Sequence, residues 1–475
     1  MAPTVASMAL AASDSAAPSQ CHAESRPCTA ASDDRPIYGR SVTLDPTFAY
    51  YRDRTPASIA AEIHANGYRI VRCVLPADSV LDPELVDAFH QESVGVWYVT
   101  FGNGTYSTVD LPDGWESWRM VTRTELAGGR LDDGFTRLCL NNADYRTWKK
   151  AQIARTLCRG RFDGVDIAEP HWPEYPGFES RAYACFCPCC REAFRTMFPE
   201  AAGLPDILDA DSPRSPKRAP ELWKQWLAFR EASLIAFLDD LVNGPGGIRE
   251  RAPAAKVSIW TLALMGEDGL RRVREDSGED AARIVTTVKP DLHCFQTHWP
   301  DWIRADLDAA YVKAYEPFIA SVRRVAPDLP LMIQADTGSQ KQNRRSWAWI
   351  RGFERTCNRL GCDSTTFYAY DLGLYMYTDP PRITEVRRRG KVTDLLFTKR
   401  LDPASVADGE RMTVAPGRIT RVQVDGSILR LWVADVRPGD HCTLTVRDVA
   451  DDPARRLFRD HPPARLAEQT VRFEY

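Results

Sequence analysis

From Tyr38 onward, short runs rich in apolar and β-branched residues alternate with stretches whose apolar positions recur every three or four residues. The strand-like runs fall at 41–44, 69–75, 95–101, 164–167, 256–262, 291–297, 330–335 and 364–370. The helical patterns between them cover 56–66, 83–91, 144–158, 220–250, 279–288, 307–325 and 345–360. Eight strands separated by helices over residues 37–380 predict a (β/α)8 (TIM) barrel, an α/β fold whose active site lies where the strands end. A doubly wound open sheet is the alternative arrangement, but no G-x-G-x-x-G follows the first strand, so no dinucleotide cofactor is implied.

Past Tyr377 the texture changes at Asp379-Pro380-Pro381. Alternating β patterns follow at 393–398, 419–424, 429–433 and 442–446, punctuated by Asp425-Gly426 and Pro438-Gly439. Residues 381–475 therefore read as a small antiparallel β-sandwich, and its strand order resembles bacterial immunoglobulin-like accessory domains. Residues 1–36, rich in Ala, Ser, Thr and Asp, read as a disordered leader, with a degenerate export signal as the alternative.

Composition narrows the function. The 475 residues are 44% hydrophobic and 27% charged, which is globular, and no stretch is long and apolar enough for a membrane span. With 61 Lys+Arg against 65 Asp+Glu and no basic stripe, a nucleic-acid partner is not indicated. Thirteen cysteines, four of them crowded into Cys185 to Cys190, suit metal thiolates better than a disulfide framework, from which a cytoplasmic location follows. The oligomeric state is open.

The fourth strand ends Asp166-Ile167-Ala168-Glu169-Pro170-His171-Trp172, which places Glu169 at the expected barrel mouth. Cleaving a glycosidic bond needs two carboxyl groups, one to protonate the leaving oxygen and one to attack the anomeric carbon or activate water. Glu169 is the candidate acid. Asp336, in Gln334-Ala335-Asp336-Thr337-Gly338 after strand seven, is the preferred second carboxylate, and Glu316 competes with it. Aromatic and polar residues near strand ends are candidate sugar contacts: Trp97, Trp172, Trp260, Gln296, His298, Trp299, Tyr368 and Tyr370, with Tyr98, Tyr175 and Asp371 beside them. His171 and His298 are further candidates for proton transfer or for a structural hydrogen bond.

Cys185-Phe-Cys187-Pro-Cys189-Cys190, with Cys139 upstream, has spacing that wraps thiolates around one tetrahedral ion. Cys139, Cys185, Cys187 and Cys190 are the expected ligands of a structural Zn2+, and Cys189 is an alternative to Cys187 or Cys190. Buried, unligated thiols are the other reading. No organic cofactor is expected.

The cysteine run after a strand-four glutamate, together with Cys139-Leu-Asn-Asn and Asp144-Tyr145-Arg146, is similar to the zinc-holding segment of glycoside hydrolase family 42 β-galactosidases. The match covers residues 138–198, and the remainder agrees only in architecture. The resemblance implies a clan A glycosidase barrel with Glu169 at the acid/base position and Asp336 near the nucleophile. Two departures stand out. The clan's Asn before the acid/base is Ala168, and its strand-seven Glu is Asp336. They imply a specialised substrate or one modified at the sugar 2-position, joined by an O- or N-glycosidic bond. Asp163, Gly164 and Asp166 are also similar to the strand-four motif of family 18 chitinases, but Pro170 stands where their catalytic glutamate would be. A carbohydrate-binding barrel without hydrolysis and a transglycosylase are the alternative functions.

Overall fold

The computed structural model describes residues 37–75, 81–173, 177–407 and 411–475. The expectation of a disordered leader falls outside these residues. Eight parallel strands close into a barrel: β1 (Arg40–Leu44), β2 (Ile70–Val74), β3 (Gly95–Phe101), β4 (Gly164–Ala168), β5 (Lys256–Ala263), β6 (Leu292–Thr297), β7 (Leu331–Asp336) and β8 (Ser364–Tyr368). Each strand pairs with its neighbours in sequence, and β1 also pairs with β8 to close the ring, Val42 opposite Phe367. The strands read as near-continuous apolar runs because both faces are buried, one in the lumen and one under the helices. On the outward face Val71, Val96, Val165, Ile167, Val257, Ile259, Phe295, Ile333 and Phe367 join the large core shared with the helices. The lumen holds a smaller cluster that includes Ile70, Trp97, Val99, Ala168, Trp260, Cys294 and Met332.

A charge pair crosses that apolar lumen. Arg72 Nη1 lies 2.6 Å from both oxygens of Asp166, and neither side chain is accessible to solvent. Trp260 Nε1 donates to Asp166 Oδ1 at 2.9 Å, and the Arg72 guanidinium lies 4.7 Å from the ring centre of Trp97. Breaking one side of such a pair strands the other charge in the interior, at a cost of roughly 3–5 kcal/mol.

Helices start where side chains cap them: Asp82 accepts from Glu84 N, Asp280 from Arg283 N and Ser346 from Trp349 N. The helical pattern over 220–250 is broken in the structure. The helix Pro220–Val242 stops before Asn243-Gly244-Pro245-Gly246-Gly247, and only a short turn, Ile248–Arg251, resumes it. The pattern over 307–325 resolves into a 3-10 turn, Tyr311–Tyr315, followed by the helix Glu316–Val325. Among the described residues no helix is long and apolar enough to cross a membrane.

The C-terminal strands form two antiparallel sheets. Ile383–Arg389, Val392–Phe397, Ile428–Ala434 and Arg418–Asp425 make one, in that order, and Met412–Ala415, His441–Ala450 and Arg465–Glu474 make the other. Leu395, Phe397, Leu429, Leu431, Leu444 and Val446 fill the space between them. The sandwich is tied to the barrel by polar bonds. Arg400 Nη1 donates to Tyr50 O at 2.9 Å, Asp425 accepts from Thr55 N at 2.8 Å, and Arg344 forms a two-pronged ion pair with Asp460 at 2.7 and 3.1 Å.

Candidate active site

Strand alternation fixes which side chains of β4 face the lumen. Asp166 and Ala168 do so, whereas Val165 and Ile167 face the helices. Continued alternation would point Glu169 outward as well. Instead Glu169 takes a left-handed backbone conformation, φ +49°, and its Oε1 accepts a hydrogen bond from Gln296 Nε2 of β6 at 3.1 Å. Such a conformation costs a non-glycine residue roughly 1–2 kcal/mol. The neighbouring strand helps hold it. Gly102 N, just past β3, donates to Ala168 O at 2.7 Å, and a Cβ on Gly102 would lie 2.6 Å from Pro170 Cβ. Only glycine allows the end of β3 to press this closely on the Ala168-Glu169-Pro170 turn.

On β7 the lumen-facing set is Met332, Gln334 and Asp336, since Ile333 and Ala335 belong to the outer core. Asp336 is 4% exposed, and its Oδ1 accepts from Gly338 N and Ser339 N at 2.8 Å each. Burial pushes its carboxyl above the usual range, while the Ser339 hydroxyl, the two amides and the Arg345 charge pull the other way. Gly338, at φ +147°, turns the loop where a Cβ would be 2.5 Å from Arg344 Cγ. Tyr368 stands opposite Asp336 in the β7–β8 register, and its hydroxyl is pushed up by burial and then by the charges of Asp45 and Asp336. The mouth thus gathers carboxylates from the ends of β1, β4 and β7. Beyond β8, Asp371 accepts from Tyr51 OH at 3.0 Å, and burial raises its carboxyl to about 7.

The expected sugar contacts divide. Gln296 and Tyr368 are partly exposed at the mouth, and Trp299 opens the short helix Trp299–Trp302 with 37% of its surface exposed. His298, which precedes that helix, is buried. Four aromatic residues expected at the mouth are elsewhere. Trp97 and Trp260 lie in the buried lumen, packed on the Arg72–Asp166 pair. Trp172 is fully buried, with Nε1 donating to Arg230 O at 2.8 Å, so it forms wall rather than surface. Tyr370 lies past the end of β8, with its hydroxyl bonded to Glu62 in a buried cluster that includes Tyr50. Alternation sorts residues by face but not by depth, and that is why these four misled. Tyr98 faces outward, accepting from Gln152 Nε2 at 2.8 Å. Tyr175 lies outside the described residues. His171 Nδ1 donates to Trp172 O at 3.0 Å. Glu316 is exposed at the first residue of its outer helix, where its charge suits the helix N-terminus.

Sequence reading missed several mouth residues. Phe101, Tyr106 and Phe135 form an aromatic group, with ring centres 4.7–5.9 Å apart, and the Tyr106 hydroxyl feels the Glu169 charge. Phe101 could have been found as the lumen-facing last residue of β3. Tyr106 and Phe135 lie in a connection without periodicity and give no such signal.

The four cysteines converge. The Sγ atoms of Cys139, Cys185, Cys187 and Cys190 all lie within 4.8 Å of one another, and all four residues are buried. Cys139 Sγ is 3.5 Å from Cys190 Sγ and 3.4 Å from Cys187 Sγ. A tetrahedral ion with ligand bonds of about 2.3 Å needs sulfurs roughly 3.8 Å apart, so the set has the right size. Cys190 N and Asn141 Nδ2 each point at a sulfur of the set, Cys187 Sγ and Cys190 Sγ, at 3.4 Å. Such donors suit thiolates. Cys189 is outside the set, with Sγ 3.7 Å from Asn142 Nδ2. The group is compatible with a bound metal ion.

No family model and no curated protein matches the chain. Among solved structures, a cold-adapted β-galactosidase from Rahnella sp. R3 is similar with 14% identity and a TM-score of 0.49, over 72% of this chain and 52% of that one. An endo-1,4-β-D-mannanase from Thermotoga petrophila RKU-1 has 10% identity and a TM-score of 0.38, over 70% of this chain and 88% of that one. Endo-glycoceramidase II from Rhodococcus sp. has 13% identity and a TM-score of 0.35, over 86% of this chain and all (100%) of that one. This chain therefore spans about half the length of the β-galactosidase, and at these values neither a family nor an activity passes from those proteins to it.

Proposed function

We propose that the chain is a glycoside hydrolase with Glu169 as acid/base and Asp336 as the opposing carboxylate. The observation that carries this reading is the left-handed turn at Glu169, which brings a side chain otherwise destined for the helix layer to Gln296 at the mouth. Strain of this kind in a residue at a strand end supports a functional role. Glu169 protonates the glycosidic oxygen as the bond breaks. Asp336, on the lumen face of β7, meets the positive charge at the anomeric carbon, by attack or through a water molecule.

Ala168 provides no amide for a sugar 2-hydroxyl, so the substrate carries an altered 2-position or is recognised through other groups, on an O- or N-glycosidic bond. The four-cysteine group binds a structural Zn2+ through Cys139, Cys185, Cys187 and Cys190. With four protein ligands no position is left for substrate, and the ion only braces the segment after β4.

A sugar-binding barrel without turnover is the second reading, favoured by the burial of Asp336 and by the two amides held on its Oδ1. A panel of aryl α- and β-glycosides, including 2-acetamido and 2-deoxy sugars, separates the two. Turnover that vanishes in a folded Glu169→Gln protein supports the hydrolase. Saturable binding with no turnover of any member supports the binding barrel.

A further inference from the structure

The chain between β3 and the helix Ala143–Gly160 builds a platform beside Glu169. Gly104–Thr105 and Thr136–Arg137 pair as a short two-stranded antiparallel sheet. A Cβ on Gly104 would collide with Phe135 Cε1 and Cζ, so glycine there lets that ring approach the backbone. Tyr106 meets Phe135 edge to face with ring centres 4.7 Å apart, and both meet Phe101 in the same way, at 5.5 and 5.9 Å. The Arg137 guanidinium lies 5.4 Å from the centre of the Phe135 ring and is held by Asp133 through two bonds of 2.8 and 3.0 Å. The cation beside Phe135 is thus paired with a carboxylate.

Tyr106 nevertheless remains 61% exposed. Phe101, on which it packs, stands opposite Ala168 in the β3–β4 register, one residue before Glu169, so the exposed ring lies on the Glu169 side of the barrel mouth. An aromatic side chain supported by two others, left open next to an acid, is suited to stack on an uncharged ring.

We propose that Tyr106, backed by Phe101 and Phe135, forms the leaving-group subsite and binds the apolar face of the ring joined to the scissile oxygen. That ring is a second sugar or an aryl group, since both present a flat uncharged face. This deepens the reading of Glu169 as the acid and rests on it for the choice of side: the acid stands on the leaving-group side of the bond, and Tyr106 stands by the acid.

The test is equilibrium binding of non-hydrolysable probes, namely phenyl and methyl 1-thio-β-glycosides of galactose, glucose, mannose and N-acetylglucosamine, with methyl 4-thio-β-cellobioside as the disaccharide arm. Stacking worth about 1.4 kcal/mol appears as roughly tenfold tighter binding of the ring-bearing probe than of its methyl partner. That advantage disappears in Tyr106→Ala and persists in Tyr106→Phe. An advantage confined to the phenyl arm or to the disaccharide arm supports the subsite and identifies its ring. Equal affinities within every pair, no binding of any probe, or an advantage that survives Tyr106→Ala overturns it. Because the readout is binding, the subsite is tested even in a protein that hydrolyses nothing on the glycoside panel.

Discussion

Gln296 of β6 spans the width of β5 to donate its side-chain amide to Glu169 Oε1 at the end of β4. The bond fixes the direction of a carboxylate whose backbone alone would leave it free to swing. Positioning of this kind is worth much in catalysis, because a misplacement of about 1 Å can cost on the order of a hundredfold in rate. Gln296→Ala is expected to lower kcat/KM by about 10- to 100-fold while leaving stability within about 1 kcal/mol of wild type. Steady-state kinetics and urea denaturation of the same preparation check both halves.

Gly102→Ala tests the close approach between β3 and the Glu169 turn. Its new Cβ would lie 2.6 Å from Pro170 Cβ and 2.7 Å from Pro170 Cα, so backbone must move. Overpacking of this kind costs roughly 1–3 kcal/mol, and the displaced turn carries Glu169. Denaturation midpoints and turnover should therefore fall together, whereas Gly128→Ala, at φ +81° in a surface loop with no heavy atom near the added carbon, should lower the midpoint through backbone strain but leave turnover unchanged.

Asp371 gives stability a pH dependence. Its folded carboxyl titrates at about 7 against an ordinary 3.8, so between those values the folded state holds a proton that the unfolded state releases. Its contribution is complete below about pH 3.8 and is lost as pH rises through about 7, an effect of roughly 4 kcal/mol at the extreme. Buried His293 has the opposite sign. Burial lowers it to about 3 from 6.5, so its contribution is present above about pH 6.5 and is lost as pH falls towards 3. Urea denaturation from pH 5 to 8 should show a shallower loss of stability with rising pH in Asp371→Asn than in wild type.

Metal analysis should find one zinc ion per chain. Cys139→Ser or Cys190→Ser should reduce that stoichiometry and lower the melting temperature, and a chelator should do the same to wild type. Cys189→Ser should retain the ion, because its sulfur stands outside the converging set. Elemental analysis by mass spectrometry and a thermal melt provide both readouts.

The barrel was legible because each of its strands is buried on two faces and so appears as an apolar run such as Val-Trp-Tyr-Val in β3. The depth of a side chain along the strand was not. Trp97 and Trp260 occupy the same inward face as Gln296 and Tyr368, yet they lie below the mouth in contact with Arg72 and Asp166. The position of Glu169 at the barrel mouth was legible from its place after β4, although strict alternation would have sent it outward; its left-handed turn goes with the bond to Gln296 there. The convergence of the four cysteines was readable from spacing, because three of them fall within one short segment ending in a helix capped by Cys187. Tyr106 and Phe135 were invisible, since their meeting depends on a two-stranded pairing only two residues long on each side, between segments about thirty residues apart.

The most direct measurement of whether Glu169 is the acid compares leaving groups in the Glu169→Gln protein. On the sugar that the panel identifies, a 2,4-dinitrophenyl group departs with little need of a proton, whereas a phenyl group needs one. Glu169→Gln is expected to slow bond cleavage of the phenyl glycoside by about 100-fold or more and that of the dinitrophenyl glycoside far less. Equal losses on both substrates, or full activity on the phenyl glycoside, would contradict the assignment of Glu169 as the acid.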